Sequence, residues 1–335
     1  MSEFDLINQY FKSAPVKRND VVLGIGDDCA LLSPPAGKQL AVSTDTLISG
    51  VHFPENTHPA DIAYKALAVN LSDLAAMGAE PAWVSLAISL PEPEHQWLEQ
   101  FMQGFNQLAQ QYNIALVGGD TTRGPLSITV NVSGFVEASA ALKRSAAKPG
   151  DQIFVSGTPG DARAGLEILL SKKNAAGKTL HTKDLDYLLG RLNRPSPRVS
   201  TGQLLAALSA KFGEHNAIAA IDLSDGLLAD LAHICKASGV GAALQLESLP
   251  LSTALKNYSA KQPDWQKILN AGDDYELCFT CAQSHVDELL QSVSATDVLI
   301  TRIGEINQEN TIDCYYKDQL CEDIKPAGYN HFNIK

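Results

Sequence analysis

The stretch that most constrains this chain runs from Ala66 to Ala79, Ala-Leu-Ala-Val-Asn-Leu-Ser-Asp-Leu-Ala-Ala-Met-Gly-Ala. Pro59 suits a first helical turn, Gly78 a left-handed cap, and Pro81 stops any continuation. A helix apolar on almost every side is a buried helix. Yet Asp73 sits in its middle, and a buried carboxylate must be hydrogen-bonded, paired or bound to metal. Asn70, Asp73 and Met77 share a face that carries no Lys or Arg. Two readings stand: Asp73 accepts backbone N–H bonds from a neighbouring turn, or it holds a cation.

The chain has 335 residues, too many for one ordinary core, and we expect two domains. The turn signal Lys148-Pro149-Gly150-Asp151 places their boundary between residues 147 and 148. Strand and helix signals alternate in both halves: strands at Val21–Gly24, Gln39–Val42, Ala82–Ser89, Ile114–Val117 and Ser127–Phe135, helices at Glu3–Phe11 and Glu94–Tyr112. Beyond the boundary come strand Gln152–Ser156, helix Asp161–Leu170, strand Ala217–Ile221, helix Leu227–Ser238 and strands near Leu299–Ile306 and Thr311–Tyr316. The class is therefore α/β, of the α+β type, with mixed sheets and flanking helices.

A net charge of -12 with no basic stripe excludes a nucleic-acid surface. It also means that an anionic substrate needs cations brought to it. No segment reads as a membrane span, and the start lacks the pattern of a signal peptide. Six scattered cysteines in such a chain are expected to be reduced thiols, with the cytoplasm as location. Cys278 and Cys281 form a C-x-x-C pair, but a strand would send their side chains to opposite faces, against a zinc or redox role.

Six acids interrupt apolar sequence: Asp28, Asp45, Asp73, Asp120, Asp222 and Asp225. Asp45, Asp120, Asp222 and Asp225 are expected just past strands, where open sheets present their sites. Their neighbours are hydroxyls and glycines rather than basic side chains. One such acid is ordinary capping chemistry; six point to oxygen ligands for a hard cation, Mg²⁺ completed by phosphate oxygens, or alternatively a structural Ca²⁺. Gly118-Gly119 with the following Asp-Thr-Thr offers an anion nest, and Arg144 a bidentate fork. The P-loop, kinase-loop and dinucleotide signatures are absent, so ATP would be held mainly through metals and a loop.

With these segments in view, the chain resembles the thiamine-monophosphate kinase family, within the superfamily typified by aminoimidazole ribonucleotide synthetase. The motifs are Gly24-Ile-Gly-Asp-Asp28-Cys-Ala, Ser43-Thr-Asp-Thr46, Asn70-Leu-Ser-Asp73-Leu-Ala-Ala-Met-Gly78, Val117-Gly-Gly-Asp-Thr-Thr-Arg-Gly124 and Ile221-Asp-Leu-Ser-Asp-Gly226. Gly272-Asp-Asp-Tyr-Glu-Leu277 and the closing Gly328-Tyr-Asn-His-Phe332 also fit. The resemblance implies that Asp28, Ser43, Thr44, Asp45, Asp73, Asp120 and Asp222 hold several Mg²⁺ ions, with Asp225 on a further one. It implies that Gly119, Asp120, Arg144 and Ser224 contact ATP, and that His52 and Asp273 contact substrate; a loop histidine packed on Phe53 is the plainer reading of His52. It also implies a homodimer joined through the sheet of the first domain. The implied reaction is direct, in-line transfer from ATP to thiamine monophosphate, giving thiamine diphosphate and ADP.

Two departures matter. The family's Gly-Gly-Glu-Asp-Tyr-Glu is here Ala271-Gly-Asp273-Asp274-Tyr-Glu, which shortens the substrate carboxylate by one methylene. Where the family places an aromatic before its closing motif, this chain has Pro326-Ala327. The competing readings are another enzyme of the superfamily, which the missing early cysteine disfavours for selenophosphate chemistry, and a nucleotide or metal sensor without turnover.

Overall fold

The computed structural model describes residues 3–170, 180–259 and 263–327; the closing motif Gly328–Phe332 lies outside them. The chain divides into two compact units, Met1–Leu74 with Ala79–Ala138, and Ala75–Gly78 with Ser139–Lys335. Residues 139–147, which the turn signal leaves with the first domain, pack in the second unit: Ser238 Oγ donates to the Arg144 carbonyl at 2.8 Å and accepts from the Ala147 N–H at 3.2 Å.

In the first unit, α1 (Glu3–Leu6) widens into a π-helical turn over Ile7–Phe11. A short hairpin, β1 (Val21–Leu23) and β2 (Leu31–Leu32), leads to β3 (Lys38–Ile48). Then follow α2 (Pro59–Ala76), β4 (Glu80–Leu90), α3 (His95–Gln111), β5 (Ala115–Arg123) and β6 (Ser127–Glu137). The sheet order is β3–β6–β4–β5. Its pairings are antiparallel except β4 with β5, which the α3 crossover makes parallel.

Period-two alternation divides the side chains of this sheet. Ile128, Val130, Val132, Leu86 and Ile88 are buried on the face that α2 covers, where Ser43 and Asp45 also point. The opposite face is covered at one end, where Trp83, Phe135 and Val117 pack with Val21 and Leu32 of the hairpin. Farther along it, Leu40 and Val42 are exposed at 51% and 55%.

Two strands are longer than their sequence suggests. Asp45 and Asp120 lie within β3 and β5, not past them. The polar runs Ser43–Thr46 and Gly118–Thr122 read as turn chemistry, but cross-strand bonds satisfy them as strand. Thr46 pairs with Thr129 at 2.9 Å, and Asn131 donates to Thr44 at 2.6 Å. Gly118–Thr122 is thus no nest-forming turn; it is an edge strand with one side laddered to β4.

The second unit contains β7 (Gln152–Ser156), α4 (Asp161–Leu170), α5 (Thr182–Asn193), α6 (Val199–Phe212), β8 (Ala220–Asp222), α7 (Leu227–Ser238) and β9 (Gly241–Gln245). After these come α8 (Thr253–Tyr258), α9 (Trp265–Leu269), β10 (Leu277–Cys281), α10 (Val286–Val293), β11 (Ile300–Asn307), β12 (Ile312–Tyr316) and β13 (Gln319–Leu320). Seven strands make one mixed sheet, β13–β12–β9–β11–β7–β10–β8, parallel only at β9 with β12. Leu227, Leu231 and Ile234 of α7 share a core with Ile153, Val155 and Leu244 of the strands. This seats the N-terminus of α7 at the end of β8. Cys278 and Cys281 both lie in buried β10, three positions apart and so on opposite faces of the strand, and burial pushes the Cys281 thiol up to about 12. Among the described residues no helix is long and apolar enough to cross a membrane.

Candidate active site

Beside α2, two acids meet. Ser43 of β3 donates a short hydrogen bond to Asp73. The Asp73 carboxylate is therefore met by a hydroxyl from the sheet, which the turn-amide reading does not foresee. Asn70, three residues earlier, donates to the Ala66 carbonyl at 3.0 Å, which turns its amide oxygen to accept the Asp45 N–H at 3.1 Å. Asp45 is lifted to about 6, first by burial and then by the charge of Asp73. Thr44, one position from both, points to the opposite face of the sheet. At the end of β3, His52 Nδ1 accepts the Ile48 N–H at 3.0 Å. That bond holds the imidazole on the strand end.

At the other edge of the same sheet, Asp28 and Asp120 line a cleft of about 530 Å³ with Phe11, Lys12, Asp27 and Gly119. The Asp28 N–H donates to Asp27 at 2.8 Å. A Cβ on Gly119 would stand 1.9 Å from the Leu86 carbonyl oxygen, so only glycine lets β5 approach β4 here. Lys12 supplies a cation to this acidic cleft, and nothing in its local sequence marks it.

Asp120 is in register with Ala87, Ala87 with Thr129, and Thr129 with Thr46. Three strand spacings separate that edge from β3, about 14 Å. Within the first unit the acids therefore stand at two edges of the sheet. Asp45 and Asp73 form one group and Asp28 and Asp120 another, because alternation and strand order send them apart. Among the described residues no three Asp, Glu, His or Cys side chains stand together as a metal site. The Ser43–Asp45–Asp73 group nonetheless suits a hard cation. Its donors are all oxygen, and burial beside a like charge, which lifts Asp45, is what a divalent ion would offset. Mg²⁺, which keeps waters and takes phosphate oxygens, needs few protein ligands.

In the second unit, two loops lie side by side. Asp222 ends β8 opposite Leu277. Beyond it, Ser224 accepts the Asp273 N–H on its carbonyl at 3.0 Å, and Leu223 accepts that of Tyr275 at 2.8 Å. Asp222, Ser224, Asp225 and Asp273 are thereby gathered. Gly226 (φ +117) permits the approach, since a Cβ there would lie 2.7 Å from the Asn270 carbonyl carbon. Arg144 is exposed, in a 3₁₀ turn of this unit.

Residues to which the sequence assigned no site role hold these loops. Asp230, buried on α7, accepts the N–H groups of Asp225 and Gly226, both at 3.1 Å; burial raises it to about 7. Asp274, fully buried, accepts those of Gly160 at 2.6 Å and Ala162 at 3.2 Å, at the start of α4. Burial holds its carboxyl well above the usual range. Glu276 receives Arg191, Arg198 and the Ser156 hydroxyl at 2.5–2.7 Å. Between these anchors Asp273 (φ +71) and Tyr275 (φ +49) are held left-handed, a strain that persists only where the surroundings enforce it.

The chain matches the family models of the AIR synthase related protein, N-terminal domain at residues 26–136 and C-terminal domain at residues 148–317. It is 48% identical to the thiamine-monophosphate kinase of Escherichia coli K12, over 98% of both chains. The crystal structure of the Stenotrophomonas maltophilia thiamine-monophosphate kinase superposes with a TM-score of 0.84 at 46% identity, covering 98% of each chain. AaThiL complexed with AMPPCP and TMP superposes at 0.74 with 33% identity, over 98% of this chain and 97% of that one. Escherichia coli HypE, 21% identical with a TM-score of 0.74 and covering 97% and 99% of the two chains, shares the fold alone. Alike across both units to kinases of one phosphate ester, the chain belongs to the thiamine-monophosphate kinase family.

Proposed function

We propose that this chain is a thiamine-phosphate kinase, transferring the γ-phosphoryl group of ATP directly to thiamine monophosphate and releasing ADP. Among its own residues the Asp45–Asp73 pair carries the reading: two carboxylates brought together at the cost of mutual repulsion suit a site built for cations and phosphates. The acceptor is a phosphate monoester with a second pKa near about 6, so its attacking oxygen is largely ionised at pH 7. No side chain has to remove a proton. The barrier is electrostatic, since each pair of unit charges about 4 Å apart costs roughly 4 kcal/mol at an effective dielectric of 20.

Ser43, Asp45 and Asp73 would hold Mg²⁺ at one edge of the sheet, Thr44, with its hydroxyl on the opposite face, would add its carbonyl, and Asp28, Asp120, Asp222 and Asp225 would hold further ions. Bound there, Mg²⁺ supplies positive charge that cancels the repulsion between phosphates and lines up the attacking and leaving oxygens. Gly119, Asp120, Arg144 and Ser224 orient ATP, and His52 and Asp273 orient the acceptor. Several Mg²⁺ ions and a cytoplasmic location belong to the same proposal, to which the six free thiols are suited.

A homodimer is also part of it. Leu40, Val42 and Ile48 stand exposed on one face of a four-stranded sheet, and a second copy is the occupant that the family resemblance implies. Such a dimer would set each sheet edge against its partner's, a route by which the two acidic groups could serve one site. The test is ADP release from ATP and Mg²⁺ with a panel of phosphorylated acceptors. Release with thiamine monophosphate and not with the others supports the reading; release without any acceptor, or none with it, overturns it.

A further inference from the structure

Three of the six cysteines surround a cleft that the proposed reaction does not use. It measures about 850 Å³ and lies between α7 and the closing hairpin, with Cys235, Lys236, Cys314, Cys321 and Lys325 on its walls. Within it, Cys314 and Cys321 are a cross-strand pair. Tyr315 opposes Leu320 and Tyr316 opposes Gln319 in β12 and β13, so the next opposed pair is Cys314 with Cys321. The Cys321 N–H donates to the Cys314 carbonyl at 2.8 Å, which continues the ladder. Directly opposed residues with such a bond have Cα atoms about 5.5 Å apart, inside the range that a disulfide spans.

The two sulfurs differ in access. Cys314 is 1% exposed, whereas Cys321 is half-buried at the cleft wall. Burial and the charge of Cys321 push the Cys314 thiol up to about 12. An oxidant entering the cleft therefore meets Cys321 first. Lys236 and Lys325 on the same walls are matched by Asp313 and Glu322, so the cleft sets no sign of charge for that oxidant.

We propose that Cys314 and Cys321 are a modification site that closes to an intrachain disulfide on reaction with a small-molecule disulfide, RSSR. The Cys321 thiolate attacks one sulfur of RSSR, forming a Cys321–S–S–R bond and expelling RS⁻. Cys314 loses its proton to solvent and attacks Cys321 Sγ, breaking that bond and expelling the second RS⁻. Two protein sulfurs are oxidised, one RSSR is reduced, and two RSH leave.

The consequence reaches the loops of the second unit. The segment that follows Cys321 is tied to Asn270: Asn270 Nδ2 donates to the Lys325 carbonyl at 3.1 Å, and the Ala327 N–H donates to Asn270 Oδ1 at 2.6 Å. The Asn270 backbone backs Gly226. A bridge at Cys321 fixes where this segment begins and so tightens the support behind Ser224 and Asp225.

The experiment treats the full chain with oxidised glutathione and digests it with trypsin without reduction. Lys317 lies between the two cysteines, so cleavage there leaves them on separate peptides. A peptide pair joined through Cys314 and Cys321, with loss of two titratable thiols and a raised Tm, is the expected result. The Cys321→Ser variant, altered at the less buried position, should lose both the linked pair and the Tm rise. Glutathione retained on Cys321 with no linked pair, a bridge from Cys321 to Cys235 or to another chain, or no reaction at Cys321, would each overturn the proposal.

Discussion

Asp45 and Asp73 lie close enough that the charge of one, added to burial, lifts the carboxyl of the other to about 6. Ser43 and Asn70 hold the two acids in place, so the repulsion is built in rather than avoided. Stability given up at one spot for the sake of a ligand is the usual trade of a functional site.

Asp73→Asn is expected to keep the fold, because an amide oxygen still accepts from Ser43, and to lower turnover with thiamine monophosphate by two or more orders of magnitude, about 3 kcal/mol or more of barrier. Circular dichroism and Tm report the fold, and ADP release reports the rate. Near-normal turnover would make Asp73 a structural residue.

Asp45→Asn should stabilise the ligand-free protein while abolishing activity. The folded state binds the Asp45 proton more tightly than the unfolded state does. That contribution to stability is present below pH 4 and is lost as pH rises through about 6. A lift from 3.8 to about 6 is worth on the order of 3 kcal/mol at most. Urea titrations of the two proteins should coincide near pH 4 and separate by about 1–3 kcal/mol at pH 7–8, the variant being the more stable. Added Mg²⁺ should raise the Tm of the wild-type protein at pH 8 more than that of the variant. Curves that stay parallel from pH 4 to pH 8 would show that Asp45 carries no such burden.

Much of this was legible in the sequence, for identifiable reasons. The helix around Asp73 was readable because Gly78 and Pro81 end it by local rules. The acids were readable because charges are rare in their apolar surroundings. The interior position of Asp45 and Asp120 in their strands was not. Hydroxyl and glycine runs look like turns until the partner strand supplies Thr129 and Asn131 as hydrogen-bond partners. The division of the acids between two sheet edges depends on strand order, which pairs β3 with β6 rather than with β4. The supporting residues Asp230, Arg191 and Arg198 are tens of residues from the side chains or loops they hold, or hidden in an ordinary helix pattern, so no spacing rule finds them.

Glu276 has two guanidinium groups and the Ser156 hydroxyl around a fully buried carboxylate. Glu276→Ala leaves those cations facing a cavity, and truncating one partner of a buried ionic group typically costs about 3–5 kcal/mol. Chemical denaturation should show a loss of that size. The milder Arg198→Lys, which keeps the charge but gives up the forked contact, should lose less. A loss under 1 kcal/mol for Glu276→Ala would mean that the network is loosely held.

Asp273 separates strain from recognition. Its left-handed backbone, φ +71, is disfavoured for any residue with a side chain, so Asp273→Gly should raise stability by about 0.5–1 kcal/mol. If the carboxylate also orients the acceptor, the same change raises KM for thiamine monophosphate roughly tenfold, about 1.4 kcal/mol, and leaves KM for ATP unchanged. Asp273→Glu, which restores the family's longer side chain, keeps the strain and should leave KM for thiamine monophosphate within a few-fold of the wild-type value. The two variants pull the readouts apart: a carboxylate that only shapes the loop would give the stability gain of the glycine variant with no change in either KM. Steady-state kinetics with each substrate varied in turn, beside urea titrations of the same preparations, decide between them.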